Sequence, residues 1–382
     1  MPWQARDTMS LRREFVELAL QEGSNRRELC RRFGVSPKTA YKWLERFRQD
    51  GATGLSDRSR RPTTSPERTD RDLEAAVVGL RMQHPAWGGR KIARRLRDLG
   101  HRAVPAPSTV TGILHRHGLI TDEASDRATA WQRFEHPEPN ALWQIDFKGY
   151  FDTPAGRCHP LTVLDDHSRF NLVLQACART DRKSVEPWLT QAFRRYGMPV
   201  RINADNGAPW GTPREHGHGL SPLSVWLVRL GIRVTHSRPA HPQTNGKDER
   251  FHRSLKAEVL NGRNFENLVR VQHAFDRWRA VYNHERPHEA LALDIPVSRY
   301  RVSPRAFPER LPAIEYGLTD RILYPDANGW LRFEGCLLKV PKALHRLPVA
   351  FRPHTTDDGR FDVYFCHYCF MRIDLRELTE AK

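Results

Sequence analysis

Residues 141–178 read ALWQIDFKGYFDTPAGRCHPLTVLDDHSRFNLVLQACA, and this stretch decides the fold class. Three segments within it, ALWQIDFKGYF, HPLTVLDDHSR and FNLVLQACA, are rich in apolar and β-branched residues and are bounded by Gly, Pro and Asp. Such segments are typical of strands that are joined by turns. We therefore predict a meander of three successive strands.

The chain then alternates between helical and strand patterns. TDRKSVEPWLTQAFRRYG predicts a helix, PVRINADNG a fourth strand, SPLSVWLVRLG a helix and IRVTHSRP a fifth strand. NGKDERFHRSLKAEVLNG and LVRVQHAFDRWRAVYNHERPHEA predict the closing helices. This order predicts a mixed α/β sheet, and the strand ends of such sheets are where ligands bind.

Three carboxylates in this region stand out from their surroundings. Asp146 lies inside an apolar strand, Asp205 ends the fourth strand, and Glu249 lies within the basic segment HPQTNGKDERFHRSLKAE, residues 241–258. An ion is the usual compensation for a buried carboxylate, and Mg²⁺ prefers oxygen ligands. Two divalent ions about 3.5 to 4 Å apart can activate an attacking oxygen and stabilise a departing one in phosphodiester cleavage. The three residues therefore predict a metal site for phosphoryl transfer.

Each of these residues also has a structural alternative. Asp205, in the sequence DNG, suits a turn, and Glu249 is spaced to pair with Arg253 on a helix. Asp248 lies beside Glu249 but would point about 100° away around the helix. Glu258 is too far along the helix axis to join the same ions.

Basic residues on the face of Glu249 are predicted to bind DNA phosphates. Arg253 and Lys256 follow Glu249 at i+4 and i+7, so the three side chains share a helix face. Lys247, at the predicted start of this helix, is assigned the same role.

The charge balance predicts a polyanionic partner. The chain has 382 residues, with 62 Lys and Arg against 45 Asp and Glu, a net charge of +17 and a pI near 10.0. This balance favours nucleic acid. Residues 1–120 hold 24 basic and 13 acidic residues, so they carry +11 of the +17. The DNA-binding bias is strongest at the N-terminus.

The N-terminal residues predict a helix-turn-helix. The amphipathic helix LRREFVELALQEG precedes a short helix that ends at Gly34, and a further helix begins with Ser36 as its N-cap and Pro37 at its first position. This further helix carries the predicted major-groove contacts, which are Lys38, Thr39, Tyr41 and Lys42. An ordinary three-helix bundle with a basic surface is the alternative.

The segment GLSDRSRRPTTSPERT predicts a basic linker that follows a phosphate backbone. Its predicted DNA contacts are Arg58, Arg60 and Arg61. RDLEAAVVGLRMQHP, GGRKIARRLRDLG and PSTVTGILHRHGLI predict a second, divergent helix-turn-helix, with Ser108 as the cap of its last helix.

The C-terminal region alternates apolar and polar residues between turns, which predicts a small β-barrel of about five strands. It could bind DNA, join protomers or be purely structural. The six cysteines suggest no disulfide framework. FDVYFCHYCFMRID is interpreted as one strand that separates its two cysteines, which disfavours a zinc site. No apolar run reaches the ~18 residues of a membrane span and no signal peptide is evident, so we expect a cytosolic protein without a membrane partner.

The ordered motifs WQIDFKG, TVLDDHSRF, NADNGAP, RPAHPQTNGKDERFHRSLK and YNHERPHEAL resemble those of the integrase-type DDE transposases of bacterial insertion sequences. The core of these enzymes is similar to that of retroviral integrases. The resemblance implies a ribonuclease-H-like fold, two Mg²⁺ or Mn²⁺ ions, and the triad Asp146, Asp205 and Glu249. The 43 residues between Asp205 and Glu249, 206–248, depart from the family's more compact spacing, and GTPREHGHGL is interpreted as an insertion.

Other polar residues of these motifs are predicted to have supporting roles. Asp165 and Asp166 lie in a turn between strands, which favours a structural role. His241, His252 and His288 are interpreted as phosphate or structural contacts.

These observations predict a multidomain α/β protein. Its N-terminal helix-turn-helix units are all-α, its catalytic core has a ribonuclease-H-like mixed sheet, and its C-terminal domain is a small β-barrel. The predicted boundaries are 1–55 for the first helix-turn-helix, 56–66 for the linker, 67–122 for the second helix-turn-helix-like domain, 137–300 for the DDE integrase core and 315–376 for the barrel.

The resemblance implies a transposase that binds terminal inverted repeats, cleaves 3′ ends with bound Mg²⁺ and joins them to target DNA. No covalent enzyme intermediate is expected. Two DNA ends must be joined, so a homo-oligomer on DNA is expected. A non-catalytic DNA-binding regulator that retains the core, and a ribonuclease-H-type nuclease, are the alternatives. The intact triad argues against the regulator. The two helix-turn-helix units argue against the nuclease, because they would have no role in it.

Overall fold

A computed structural model describes residues 7–58, 69–120, 135–212, 219–236, 246–354, 357 and 359–380. The chain divides into two compact units, Met1–Arg68 and Thr69–Lys382. The finer domain boundaries within the second unit stay predictions.

The first unit contains the predicted helix-turn-helix. Its elements are α1 (Thr8–Ala19), α2 (Arg26–Arg32), α3 (Pro37–Asp50) and a 3-10 helix (Gly51–Leu55). Ser36 caps α3, because its hydroxyl accepts a hydrogen bond from the backbone N of Thr39 at 3.2 Å. Phe15, Trp43 and Leu55 form part of the buried core.

The second unit begins with another group of helices. They are α4 (Arg71–Gln83), α5 (Gly89–Asp98) and α6 (Pro107–Arg116), which enclose a core that includes Trp87, Ile92 and Ile113. The prediction that Ser108 caps the last helix is wrong. Ala106 is the N-cap and Pro107 is the first helical residue, because proline has no N–H and its fixed φ suits that position.

A mixed sheet forms the centre of the second unit, and the predicted fold class is confirmed. Its strands are β1 (Leu142–Phe147), β2 (Phe151–Thr153), β3 (Gly156–Asp165), β4 (Asn171–Cys177), β5 (Arg201–Ala204) and β6 (Arg233–His236). The order is β4-β3-β1-β5-β6, and β2 pairs with the start of β3. β1 is antiparallel to β3 and parallel to β5, and β5 is parallel to β6.

Helices cover both faces of this sheet. They are α7 (Arg182–Tyr196), α8 (Pro222–Arg229), α9 (Gly246–Leu255), a π-helical turn (Lys256–Leu260), α10 (Leu268–His284), a 3-10 helix (Glu289–Leu291) and α11 (Pro296–Arg299). On one face Trp143 of β1 stacks on Phe193 of α7, with 5.7 Å between ring centroids. On the other face Leu164 of β3 and Leu174 of β4 join a buried cluster with Phe251 of α9.

The group α4–α6 is attached to α10. Val281 of α10 packs against the core of this helical group. Arg95 of α5 pairs with Glu285, which directly follows α10, and Arg94 Nη1 lies 3.1 Å from Asp294 Oδ1. Apolar contact and ion pairs therefore both join these helices to the core.

The C-terminal region forms small antiparallel sheets, and its described residues do not form the closed barrel that we predicted. One sheet has the order β12-β11-β10-β7, with β7 (Arg321–Leu323), β10 (Val349–Pro353), β11 (Arg360–Phe365) and β12 (Tyr368–Asp374). A separate hairpin pairs β8 (Trp330–Phe333) with β9 (Cys336–Lys339), and α12 (Leu375–Glu380) follows. The interpretation of FDVYFCHYCFMRID as one strand is wrong, because the chain reverses at Cys366, where φ is +51°. Among the helices of the described ranges, none combines the length and apolarity needed to span a bilayer.

Phe251→Ala is expected to lower the free energy of unfolding by about 3 to 5 kcal/mol, the usual cost of truncating a buried Phe. Phe251 is 1% exposed and its ring contacts Trp278 and Tyr282 of α10. Chemical denaturation measures the change. Val269→Ala on α10 is the control, because Val269 is 64% exposed and its truncation should cost less than about 0.5 kcal/mol. Equal losses in the two variants would contradict the packing of α9 described above.

Candidate active site

The candidate site lies where two parallel strands end side by side. Asp146 is the next-to-last residue of β1, and Asp205 directly follows β5. The register pairs Gln144 with Asn203, and when it is continued by two residues it sets Asp146 opposite Asp205. Residues two apart on a strand share a face, so both carboxylates belong to the same face at the carboxyl ends of these strands.

Glu249 approaches this pair from α9. Phe251 and Leu255 of α9 are buried, whereas Glu249 is exposed. Burial raises the pKa of Asp146 to about 6, and the negative charges of Asp205 and Glu249 contribute to this shift. The three carboxylates predicted from the sequence are therefore close enough to interact electrostatically.

The chemistry of these side chains fits a divalent cation. All three are oxygen donors, which Mg²⁺ and Mn²⁺ accept. A cation would offset both the burial of the Asp146 charge and its repulsion by Asp205 and Glu249. Within the described ranges, no three acidic, His or Cys side chains already converge on a single point. The fit therefore rests on the donor set and on the raised pKa of Asp146.

Thr162 and His252 connect β1 to α9. Thr162 is the β3 partner of Asp146, and its hydroxyl donates to the backbone O of Asp146 at 3.1 Å. The same hydroxyl lies 2.9 Å from Nε2 of His252. Burial, and the positive charge of Lys148, lower the pKa of His252 to about 4, so the ring is neutral at pH 7.

Lys247, a predicted DNA contact, has a partner within the protein. Its ammonium pairs with the carboxylate of Asp166, and its side chain is only 17% exposed. It also donates to the backbone O of Asp166 at 3.3 Å. Its charge is therefore paired inside the protein, and its contact with DNA stays a prediction.

Asp165, for which a structural role was predicted, is the last residue of β3 and precedes the turn. Its carboxylate accepts hydrogen bonds from the backbone N of Asn140 at 2.7 Å and from the backbone N of Ser168 at 2.8 Å. These bonds join the turn after β3 to the segment before β1.

Asp248 faces the interior, away from the exposed side of α9. It is 2% exposed, and its Oδ1 has no hydrogen-bond partner. Burial raises its pKa well above the usual range, and the charges of Asp146 and Asp166 add to this effect. The sequence predicted that Asp248 and Glu249 point in different directions from the helix, but it gave no sign that Asp248 is buried.

Arg286, from the motif YNHERPHEAL, holds the end of α9. Its Nε donates to Glu258 at 3.0 Å, and its Nη2 donates to Ser254 at 3.0 Å. The other Glu258 oxygen accepts from Trp278 Nε1 at 2.7 Å. Glu258 is therefore paired away from the three carboxylates, and sequence reasoning missed the role of Arg286.

Exposed cations flank the candidate site. Arg253 and Lys256, which were predicted to bind DNA phosphates, are both exposed. Lys148 was missed, although it follows Asp146 by two positions. Burial lowers the pKa of Lys148, and the nearby charge of Lys256 lowers it further. Lys148 and Lys256 are thus near enough for their charges to interact.

The predicted groove contacts of the first compact unit lie on α3. The exposed ones are Lys38, Tyr41 and Lys42. Thr39 is half-buried, and its hydroxyl lies 2.9 Å from that of Ser36. Arg58 pairs with Asp50 at 2.6 Å. Two other predicted contacts fall outside the described residues, namely Arg60 and Arg61.

Family models match successive parts of the chain. A helix-turn-helix domain model matches residues 11–63, and a homeodomain-like domain model matches residues 39–114. Two integrase core domain models match residues 136–242 and 230–296. The model of the C-terminal domain of IS481 family transposases matches residues 321–381. These matches confirm the predicted resemblance of the chain to the integrase-type transposases of bacterial insertion sequences.

Relatives of this transposase family are moderately similar to the chain. It is 27% identical over 250 residues to an uncharacterized 39.2 kDa protein of insertion element IS476 from Xanthomonas euvesicatoria, which covers 62% of this chain and 67% of the relative. It is 29% identical to an uncharacterized 31.7 kDa protein of IS407 from Burkholderia multivorans, over 40% of this chain and 52% of the relative. It is 26% identical to the transposase of IS904 from Lactococcus lactis, over 43% of this chain and 63% of the relative. The chain thus spans between about half and two thirds of the length of these relatives.

Solved structures of retroviral integrases are also similar to the chain. One is the simian T-cell lymphotropic virus intasome in complex with a PP2A regulatory subunit, with 17% identity, a TM-score of 0.39 and coverage of 78% of this chain and 96% of that one. Another is the HTLV-2 integrase catalytic core domain in complex with magnesium, in its trimeric form. It has 15% identity and a TM-score of 0.33, and the match covers 43% of this chain and 97% of that one.

Asp146→Asn is expected to stabilise the protein without metal at pH 7, by about 1 to 3 kcal/mol. The pKa of Asp146 is raised to about 6 in the folded protein, above the ordinary value of 3.8, so ionising Asp146 costs folding free energy as the pH rises between these values. The gain from Asn should therefore be complete above pH 6 and should disappear near pH 4. Thermal unfolding in a chelator, measured across this range, checks it.

Asp152→Asn is the matched control, because the Asp152 side chain is 72% exposed on β2. Its stability should differ little from that of the wild type at each pH. A loss of stability in Asp146→Asn that is the same at every pH would contradict the electrostatic interaction of the three carboxylates.

Proposed function

We propose that this protein is a transposase that binds the terminal inverted repeats of an insertion sequence, cleaves their 3′ ends and transfers them into target DNA. The reaction is proposed to depend on two Mg²⁺ or Mn²⁺ ions. The observation that carries the proposal is the placement of Asp146 opposite Asp205 on parallel strands, with Glu249 near enough to raise the pKa of Asp146.

The three carboxylates are proposed to hold the ions. When bound, the ions would activate the attacking oxygen and stabilise the departing one. Asp146 and Asp205 supply ligands from the sheet, and Glu249 supplies one from α9. The carboxylates themselves form no bond to DNA, so a direct in-line attack by water, and then by the 3′-hydroxyl, needs no Ser or Tyr nucleophile.

Basic side chains beside the carboxylates are proposed to hold the DNA end. Arg253 and Lys256 are exposed on and just after α9, and Lys148 lies near Lys256. Positive charges at these positions would bring the backbone phosphates close to the carboxylates. They orient the DNA rather than take part in proton transfer.

The helix-turn-helix region is proposed to select the terminal repeats. Lys38, Tyr41 and Lys42 project from α3, the helix that would enter a major groove. Because two DNA ends must be joined in one complex, we propose a homo-oligomer on DNA. We expect it to act in the bacterial cytoplasm, where it reaches chromosomal DNA.

Asp146→Asn, Asp205→Asn and Glu249→Gln are each expected to reduce 3′-end cleavage and strand transfer by about a thousandfold or more. The loss of a metal ligand removes several kcal/mol of stabilisation, and about 1.4 kcal/mol is a factor of ten. The measurement uses full-length protein, Mg²⁺ and a labelled duplex that carries the ends of the element encoding this chain. Binding of that duplex should be retained.

Asp152→Asn should keep full activity in the same assay. Wild-type protein that binds the duplex but neither cleaves nor joins it would favour a DNA-binding regulator. Full activity of Glu249→Gln would show that the triad is wrong.

Lys148→Ala, Arg253→Ala and Lys256→Ala are each expected to weaken binding of the DNA end. Each should lower the slope of log K against log salt concentration by about one, the effect of losing one phosphate contact. The control is Arg194→Ala, because Arg194 lies on α7, on the other side of the sheet, and pairs with Glu309 at 2.7 Å. An unchanged slope in the three variants would remove them from the DNA interface.

A further inference from the structure

The start of α9 is attached to the protein interior by a buried ion pair. Lys247 is the second residue of α9, two positions before Glu249. Its ammonium pairs with Asp166, whose side chain is 1% exposed. The Lys247 side chain is 17% exposed, so the pair is largely buried and is screened less by salt than a surface pair.

Asp166 is itself held from two directions. Its Oδ1 accepts a hydrogen bond from Gln144 Nε2 at 2.8 Å, and its Oδ2 accepts one from the backbone N of His136 at 2.9 Å. Gln144 is 3% exposed and belongs to β1. The carboxylate is therefore a fixed acceptor, and it does not turn to follow a moving lysine.

Gln144 and Asp146 are two positions apart on β1 and share a face of the sheet. One line of polar contacts therefore runs from the strand of Asp146, through Gln144 and Asp166, to Lys247 and the helix turn that carries Glu249. The two ends of this line are candidate metal ligands on different elements.

Lys247 also serves a second buried carboxylate. Its positive charge acts to lower the pKa of Asp248, which is buried and leaves one oxygen without a hydrogen-bond partner. Without the ammonium, the buried carboxylate of Asp166 would lose its cation, and the first turn of α9 would lose this contact with the interior.

We propose that the pair Lys247–Asp166 is a positioning device that sets the distance between Glu249 and Asp146 and thereby sets the affinity for divalent ions. This inference rests on the proposed function, because it assumes that the carboxylates bind ions. Lys247 and Asp166 are proposed to act through the placement of Glu249 and Asp146, so they are positioning residues and not catalytic residues.

The test measures Mn²⁺ binding to the full-length protein without DNA, by calorimetric titration and by the Mn²⁺ concentration that gives half of the thermal stabilisation. Lys247→Met and Asp166→Asn are each expected to weaken Mn²⁺ binding by about 10- to 100-fold, the usual effect of removing a group that supports metal ligands. Lys247→Arg, which keeps the charge, should recover part of the loss. The double variant Lys247→Met with Asp166→Asn carries no unpaired charge at these two positions, so it should fold and still bind Mn²⁺ weakly.

Asp320→Asn is the matched control. The Asp320 side chain is also 1% exposed and pairs with an arginine, Arg352 at 2.8 Å, but it lies in the C-terminal region. It should lower the unfolding temperature and leave Mn²⁺ affinity unchanged.

Mn²⁺ affinities of the Lys247 and Asp166 variants that equal the wild-type value, with only a lower unfolding temperature, would overturn the positioning role and leave the proposed function intact. Wild-type protein that binds no Mn²⁺ and cleaves no DNA would instead overturn the proposed function and this inference with it. At saturating Mn²⁺, the cleavage rate of the double variant should return toward that of the wild type, and a rate that stays low would also overturn the inference.

Discussion

The parallel pairing of β1 with β5 is the constraint on which the rest of the core depends. Its register sets Asp146 opposite Asp205 on one face, and no change of side-chain rotamer on either strand can undo that placement. The opposite face of β1 is fully apolar, with Trp143 and Ile145 buried against the helices behind the sheet. A shift of one residue would bury the carboxylate there and expose the tryptophan, so hydrophobic burial enforces the register that brings two like charges together. The folded core therefore accepts a local repulsion, which a bound cation or protonation of Asp146 would relieve.

A helix that packs across a sheet can slide along it or rotate about its own axis. In α9 both motions are restrained by polar contacts along the length of the helix. Lys247 holds its start, His252 its middle and Glu258 the π-helical turn that follows it. Between these contacts Phe251 fills the apolar space above β3 and β4. Apolar packing alone would tolerate small displacements, whereas directed hydrogen bonds do not. The buried contacts of α9 therefore also fix the position of its exposed residue Glu249.

The sequence predicted the strands and the three carboxylates because both leave local traces. Alternation and turn residues mark the strands, and Asp146 and Asp205 stand out from the residues directly around them. The role of Lys247 leaves no such trace, since its partner Asp166 lies 81 positions earlier and only the fold brings them together. A basic residue on a basic helix is naturally interpreted as a DNA contact. The same limit applies to the C-terminal region, where the reversal at Cys366 depends on a backbone conformation that the apolar pattern of the segment concealed.

The attachment of the helices α4–α6 to α10 has a geometric consequence. Val281 and the pair Arg95–Glu285 join them to the same helix whose end leads into Arg286, the clamp on α9. A duplex that binds α4–α6 would thus be registered against the carboxylates by one continuous body of protein. The number of base pairs between its contact and the reacting phosphate would therefore be fixed by the folded chain.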